Sequence, residues 1–232
     1  MCDRAVAAIE AHVRAVMDGA ARRPTVIAHG YDHVDRVRRW ALRIAEGEGL
    51  ARRDLVEATA LLHDIGLAQM ETRGGHAHTS AVLAQAYLDA HGWFSRDEVA
   101  AIVGAIRAHS DITPIPPIHG APLAEGLRAV LREADILDAL GAVGLMRACM
   151  SKGLRPAYDP RDVRGPTWGL SGDGFTALRG RAGVPSATVI DQVNLQIAIY
   201  DNLRSETARR FGQPLVATMR AFVEQLAAEV GE

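Results

Sequence analysis

Along most of the chain apolar residues recur every three or four positions, and almost nowhere do they alternate with polar ones, so the pattern predicts helices and no sheet. Residues 3–18 read as a first amphipathic helix with Val6, Ile9, Val13 and Val16 on one side. Pro24 and Gly30 bracket a loop, and a second helix follows from Tyr31 to Glu46, ended by Gly47 and Gly49. Its apolar stripe is His33, Val37, Trp40 and Ile44, so a histidine lies on the inward face. A third helix, over 53–65, closes on Leu61-Leu62-His63-Asp64-Ile65-Gly66, with Gly66 suited to a left-handed helix stop. After a polar loop that carries His76 and His78, a helix with Val82, Leu83, Ala86 and Tyr87 ends near Gly92. The next, over 95–110, opens on a capping box of Ser95 and Glu98 and sets Val99, Ile102, Ile106 and His109 on one face.

The prolines of Thr113–Gly120 forbid a helix. A long helix is then expected over 123–150, with Leu131, Asp135, Asp138 and Ala142 sharing a face and Gly141 and Gly144 allowing close packing. Residues 153–184, rich in glycine and proline, read as an irregular excursion and a candidate lid. Helices over 186–211 and 214–228 close the chain. The expected architecture is all-α, a compact multi-helix bundle folded as a single domain over 1–232.

Composition narrows the function. A hydrophobic content of 48% supports a full core, and a net charge of -2 gives no reason to expect a nucleic-acid or membrane surface. Cys2 and Cys149 have no zinc-type spacing and suggest no disulfide framework, which fits a reducing compartment. The first residues lack a basic stretch followed by an apolar core, and no apolar run is long enough to span a bilayer, so a soluble cytoplasmic protein is expected. Its helices are compatible with a monomer or a homodimer.

The anomalies are polar residues on inward faces: His33, His63, Asp64, His109 and Asp135, with His78 at a helix start. Each alone is more often a hydrogen-bonded core residue or a surface residue than a ligand. Together, on separate helices, they match the way helical bundles build metal sites from facing side chains. Imidazole with carboxylate suits a divalent transition metal such as Mn, Fe, Co, Ni or Zn.

In order along the chain, Asp32-His33-Val-Asp-Arg36-Val37, then Ala-Leu-Leu-His63-Asp64-Ile-Gly66, then Glu-Ala-Asp135-Ile-Leu-Asp138-Ala-Leu-Gly141-Ala-Val-Gly144 resemble the motifs of the HD-domain superfamily of metal-dependent phosphohydrolases, in particular small single-domain bacterial members. The resemblance runs over about 29–150 and more weakly into the C-terminal helices at about 186–228. It implies that His33, His63, Asp64 and Asp135 ligate a first metal. His78 and His109 stand where superfamily members carry histidines for a second, with His76 a competing candidate. The sequence departs from the pattern at Glu133, often Asp in relatives, at Ile136, where a basic residue is common, and at Thr188-Val-Ile-Asp191-Gln.

The implied activity is hydrolysis of a phosphoester or phosphoanhydride, with a nucleotide as the small-molecule substrate. A bound ion polarises a phosphoryl oxygen and lowers the pKa of a water. Asp64 is placed to bridge two ions. Asp138, one turn from Asp135, is a candidate to orient a ligand or take the water's proton, or else to pair with an Arg or N–H in helix packing. Arg36, Arg147, Lys152 and Arg155 are candidate phosphate donors or solvated surface charges. Two other readings stay open. One is an HD-fold di-iron oxygenase acting on a small molecule, which needs six ligands in the order His, His-Asp, His, His, Asp. The other is a non-catalytic metal- or nucleotide-binding module, against which the complete ligand set argues.

Overall fold

The structure, a computed structural model, describes residues 2–111, 113–179 and 186–231. Among these there are ten α-helices and no strand, only an isolated bridge between Asp159 and Asp162. The expected all-α class is therefore found. The chain divides into two compact units where the sequence suggested no boundary: Met1–Asp111 with Ile115–Asp135, and the remainder, chiefly Ile136–Glu232.

The first unit holds α1 (Cys2–Gly19), α2 (Tyr31–Gly47), α3 (Arg53–Leu62), α4 (His76–His91), α5 (Arg96–Ala108) and α6 (Leu123–Asp138) up to Asp135. Its core is made by the predicted stripes. Ile9, Val13, Val37, Ile44, Leu61, Leu62, Ile102 and Ile106 are all fully buried. α5 starts where predicted: the Ser95 side chain accepts from the Glu98 amide, and the Glu98 side chain accepts from the Ser95 amide. This closes two of the amides that a helix start leaves open.

α3 ends earlier than its pattern suggests. His63 still has helical angles (φ -60°, ψ -36°), but Asp64 leaves them (φ -112°, ψ 8°), and a short 3₁₀ turn, Ile65–Gln69, follows. Gly66 lies inside that turn and is not among the glycines with positive φ, so it is not a left-handed helix stop. Its lack of a side chain serves close approach instead. A β-carbon there would lie 2.6 Å from the Ser80 amide nitrogen and 3.0 Å from the Thr79 β-carbon, both on α4. The Gly66 amide donates to Ser80 Oγ at 3.0 Å.

That contact explains which face of α4 is inside. The buried residues are His76, Ala77, Ser80, Ala81, Ala84 and Leu88, a stripe of mostly small side chains. Val82 and Ala86, expected inward for their apolarity, are exposed.

In the second unit the long helix expected over 123–150 is broken into α6 and α7 (Gly141–Lys152). Gly141 sits at φ 69°, and a β-carbon on Gly144 would lie 2.1 Å from the Ala139 carbonyl oxygen. Gly141 thus turns the chain and also admits a close neighbour, since a β-carbon there would lie 3.0 Å from the Leu215 side chain, whereas Gly144 makes room for the turn that precedes α7. α8 (Gly172–Arg179) lies within the glycine-rich excursion. That excursion is tied into its own unit: the Val189 amide donates to the Pro156 carbonyl, Asn194 Nδ2 to the Arg164 carbonyl, and the Gly172 amide to Asp201 Oδ2. The rest of the candidate lid, residues 180–184, lies outside the described residues. α9 (Val189–Ile199) is capped by Thr188 and Asp191, and α10 (Glu206–Val230) runs straight through Pro214. The expected break falls earlier, where Leu203 is extended and Ser205 caps α10 by accepting from the Ala208 amide. Among the described residues no helix is long and apolar enough to cross a membrane.

Overpacking a tight contact costs about 1–3 kcal/mol. Gly66→Ala is therefore expected to lower the melting temperature by several degrees in a thermal scan followed by circular dichroism, whereas Gly75→Ala adds a strained φ without a clash.

Candidate metal centre

Five side chains from four helices meet inside the first unit. His33 comes from the inward face of α2. His63 and Asp64 follow directly on α3. His76 is the first residue of α4, set there by Gly75 at φ 75°. His109 caps the end of α5. Asp64 is the hub, with its side chain 2% exposed. Its Oδ2 lies 3.5 Å from His33 Nε2 and 3.6 Å from His63 Nε2. Its Oδ1 lies 3.5 Å from His76 Nε2 and 3.6 Å from His109 Nε2. Asp135 Oδ1, on α6, adds a second carboxylate 3.6 Å from His33 Nε2.

The ring orientations are fixed from behind. His63 Nδ1 lies 2.7 Å from the Ala60 carbonyl, His76 Nδ1 2.9 Å from that of Arg73, and His109 Nδ1 2.6 Å from that of Ile106. A carbonyl only accepts, so each Nδ1 carries the proton and, in the neutral ring, each Nε2 presents a lone pair. His76 Nε2 and His109 Nε2 then face each other at 3.2 Å, two acceptors in near contact. His63 Nε2 and Asp64 Oδ1 are buried and make no hydrogen bond. Lone pairs and carboxylate oxygens converging without a donor are what a cation resolves, and ring nitrogens braced by backbone carbonyls are the usual support of metal-ligating histidines. Two buried triads have the reach for one ion each: His33, His63 and Asp64, and Asp64, His76 and His109. The donor set, imidazole with carboxylate, fits a divalent transition metal.

The electrostatics agree. Burial drives the His63 imidazole down to about 4, against the pull of Asp64, so it is neutral at physiological pH. Burial likewise lowers His76. Asp64 is subject to strong desolvation that acts to raise it, but the surrounding imidazoles, His63 first and then His109 and His33, hold it well below the usual carboxylate range. In His109 burial is outweighed by the nearby Asp64 carboxylate, and its value rises.

Of the predicted residues, His33, His63, Asp64, His109 and Asp135 are brought together. His78 is not: it is exposed, and His76 takes the inward place. Two positions along a helix turn a side chain by about 200°, so only one of the pair can face the cluster. The face followed from the small residues Ser80, Ala81 and Ala84, a signal present in the sequence. Of the two readings of Asp138, the arginine partner in helix packing is the one found: Asp138 and Arg147 are buried against each other, with Arg147 Nη1 donating to Asp138 Oδ2 at 2.8 Å and to its carbonyl at 3.1 Å. Arg36 and Lys152 are half-buried, and Arg155 is exposed. The sequence did not single out His29 and Arg73, which sit in loops with no periodicity to flag them. His29 is buried, its ring centroid 5.2 Å from that of His33, and its Nε2 accepts from Arg73 Nη1 at 2.5 Å.

The helical unit thus brings together histidine and aspartate clusters that could hold a metal ion. Residues 30–142 match the HD domain family. Solved structures agree in fold. A Lactobacillus plantarum protein is 28% identical, with a TM-score of 0.68 over 97% of this chain and 95% of its own. Bacillus subtilis YpgQ, described in complex with ADP, is 21% identical with a TM-score of 0.65 over 100% of this chain and 98% of its own. An HD-superfamily hydrolase of Bacillus thuringiensis is 22% identical with a TM-score of 0.63 over 99% of this chain and 98% of its own. No curated protein matches the sequence.

Removing one partner of a buried ion pair leaves the other charge unpaired, at a cost of about 3–5 kcal/mol. Asp138→Ala is expected to destabilise the protein by that amount in urea denaturation, with Asp138→Ala/Arg147→Met recovering much of it.

Proposed function

We propose that the protein is a metal-dependent phosphohydrolase that cleaves a phosphoester or phosphoanhydride bond of a nucleotide. The observation that carries this reading is the shared carboxylate of Asp64, with two imidazoles facing each of its oxygens. In this reading His33, His63, Asp64 and Asp135 hold one divalent transition metal ion, and Asp64, His76 and His109 hold a second; Mn, Fe, Co, Ni and Zn all suit the donors. Bound there, such ions supply Lewis acidity toward a phosphoryl oxygen and a water of lowered pKa.

The chain's own residues do the rest. The Ala60, Arg73 and Ile106 carbonyls hold three rings in one tautomer and one orientation. Asp64, kept ionised, lends its negative charge to both triads. Asp135 has a side chain 35% exposed, against 11% or less for the other five, so substrate reaches the site from its side. The fold shared with an HD-superfamily hydrolase supports hydrolysis, and the ADP described with Bacillus subtilis YpgQ supports a nucleotide.

The test is product release from a panel of nucleoside mono-, di- and triphosphates and simple phosphoesters, with metal-stripped protein refilled with Mn²⁺ beside an Asp64→Ala control. Turnover that vanishes in the control is expected, and the product identifies the bond broken. Absence of turnover on every phosphate compound overturns the reading and moves the case to anaerobic iron reconstitution, where an oxygen-dependent optical change reports the oxygenase alternative. In elemental analysis of purified protein, His76→Ala is expected to lower the bound metal per chain while His78→Ala leaves it unchanged.

A further inference from the structure

Arg73 is an exposed arginine whose hydrogen-bond partner is an imidazole rather than a carboxylate. Other arginines of the first unit are paired with acids: Arg23 with Glu71, Arg38 with Glu10 and Asp35, Arg52 with Asp54 and Glu98. Among the described residues Arg73 forms no such pair. A neutral imidazole fixes a guanidinium in place without cancelling its charge, and it occupies one of five N–H donors.

The place is specific. The carbonyl of Arg73 braces His76, one of the two rings on Asp64 Oδ1. Its guanidinium reaches His29, whose ring stands beside that of His33 on Asp64 Oδ2. The residue therefore runs along the edge of the cluster from one triad to the other. The backbone beyond it is open: a β-carbon on Gly75 would meet nothing within 4 Å.

We propose that Arg73, aimed by His29, binds the phosphoryl group of the substrate beside the metal ligands, an assignment that rests on the phosphohydrolase reading. Its planar fork is matched to two oxygens of one phosphate. His29 acts as a positioning residue, buried and holding the guanidinium from behind.

The experiment is calorimetric titration of inorganic pyrophosphate into Mn²⁺-loaded protein, with metal content measured on each sample. Arg73→Ala is expected to weaken binding roughly tenfold or more with metal content unchanged, since a charge-assisted hydrogen bond to phosphate is lost while the carbonyl that braces His76 remains. Arg73→Lys restores part of the affinity, because the charge returns without the fork. His29→Ala weakens binding less than Arg73→Ala, and the double variant is no weaker than Arg73→Ala alone, the non-additivity of two residues acting as a unit. Arg73→Ala binding pyrophosphate as the wild type does overturns the assignment, as does a loss of metal in that variant. The two readings fail differently. Wild-type protein that holds Mn²⁺ but neither binds pyrophosphate nor turns over any phosphate compound removes the phosphohydrolase reading and this one with it, whereas undiminished binding in Arg73→Ala beside an active wild type removes only the role of Arg73.

Discussion

A carboxylate with a side chain 2% exposed is the constraint on which the first unit depends. Burying an ionised group without partners costs several kcal/mol, and Asp64 is surrounded on both oxygens by imidazole nitrogens rather than by N–H or O–H donors. The helices are arranged to deliver those rings. α2 offers one from its first turn, at the head of its apolar stripe, α3 one just past its last residue, α4 one at its first residue, and α5 one at its end. The early finish of α3 matters for the same reason. With Asp64 out of helical angles, His63 and Asp64 direct adjacent side chains at one point, which two neighbours in a continuing helix do not do.

The parts of this arrangement that were legible in the sequence are those written as periodicity. His33 and His109 fall on apolar stripes, and the polar His63-Asp64 pair interrupts a run of core residues, so their inward placement followed from pattern alone. α4 misled because its buried face is made of alanine and serine. Hydrophobicity points to Val82, whereas the requirement is that nothing larger than Ser80 fit against Gly66. That same error left His76 and His78 unresolved. His29 and Arg73 were invisible for a different reason: they are loop residues brought together across 44 positions, and no local rule encodes such a meeting.

Glycine is where pattern and structure part in both units. Gly66 reads as a helix stop and serves a contact instead; Gly141 and Gly144 read as sites of close helix packing, yet only Gly141, beside Leu215, meets another helix, while Gly144 makes room for the Ala139 carbonyl. In each case the sequence shows that a side chain is missing but not which neighbour required it to be. Asp138 shows the matching ambiguity for a charge. On α6 it shares a face with Asp135, yet Arg147, nine positions on, holds it in the packing of the second unit. The break at Gly141 lies between them and lets α7 return to α6 so that the two meet.

One detail of the cluster reaches further than its own geometry. Three of its rings are held by the carbonyl three residues earlier, His63 by Ala60, His76 by Arg73 and His109 by Ile106. Each brace belongs to the main chain of the ligand's own segment and calls on no neighbouring side chain. Aim is thereby uncoupled from the composition of the surrounding wall. Residues lining the approach can be exchanged to admit a different molecule while the nitrogens keep pointing where they point now, which makes this centre a fixed reactive core on which new specificities can be grown by altering its surroundings alone.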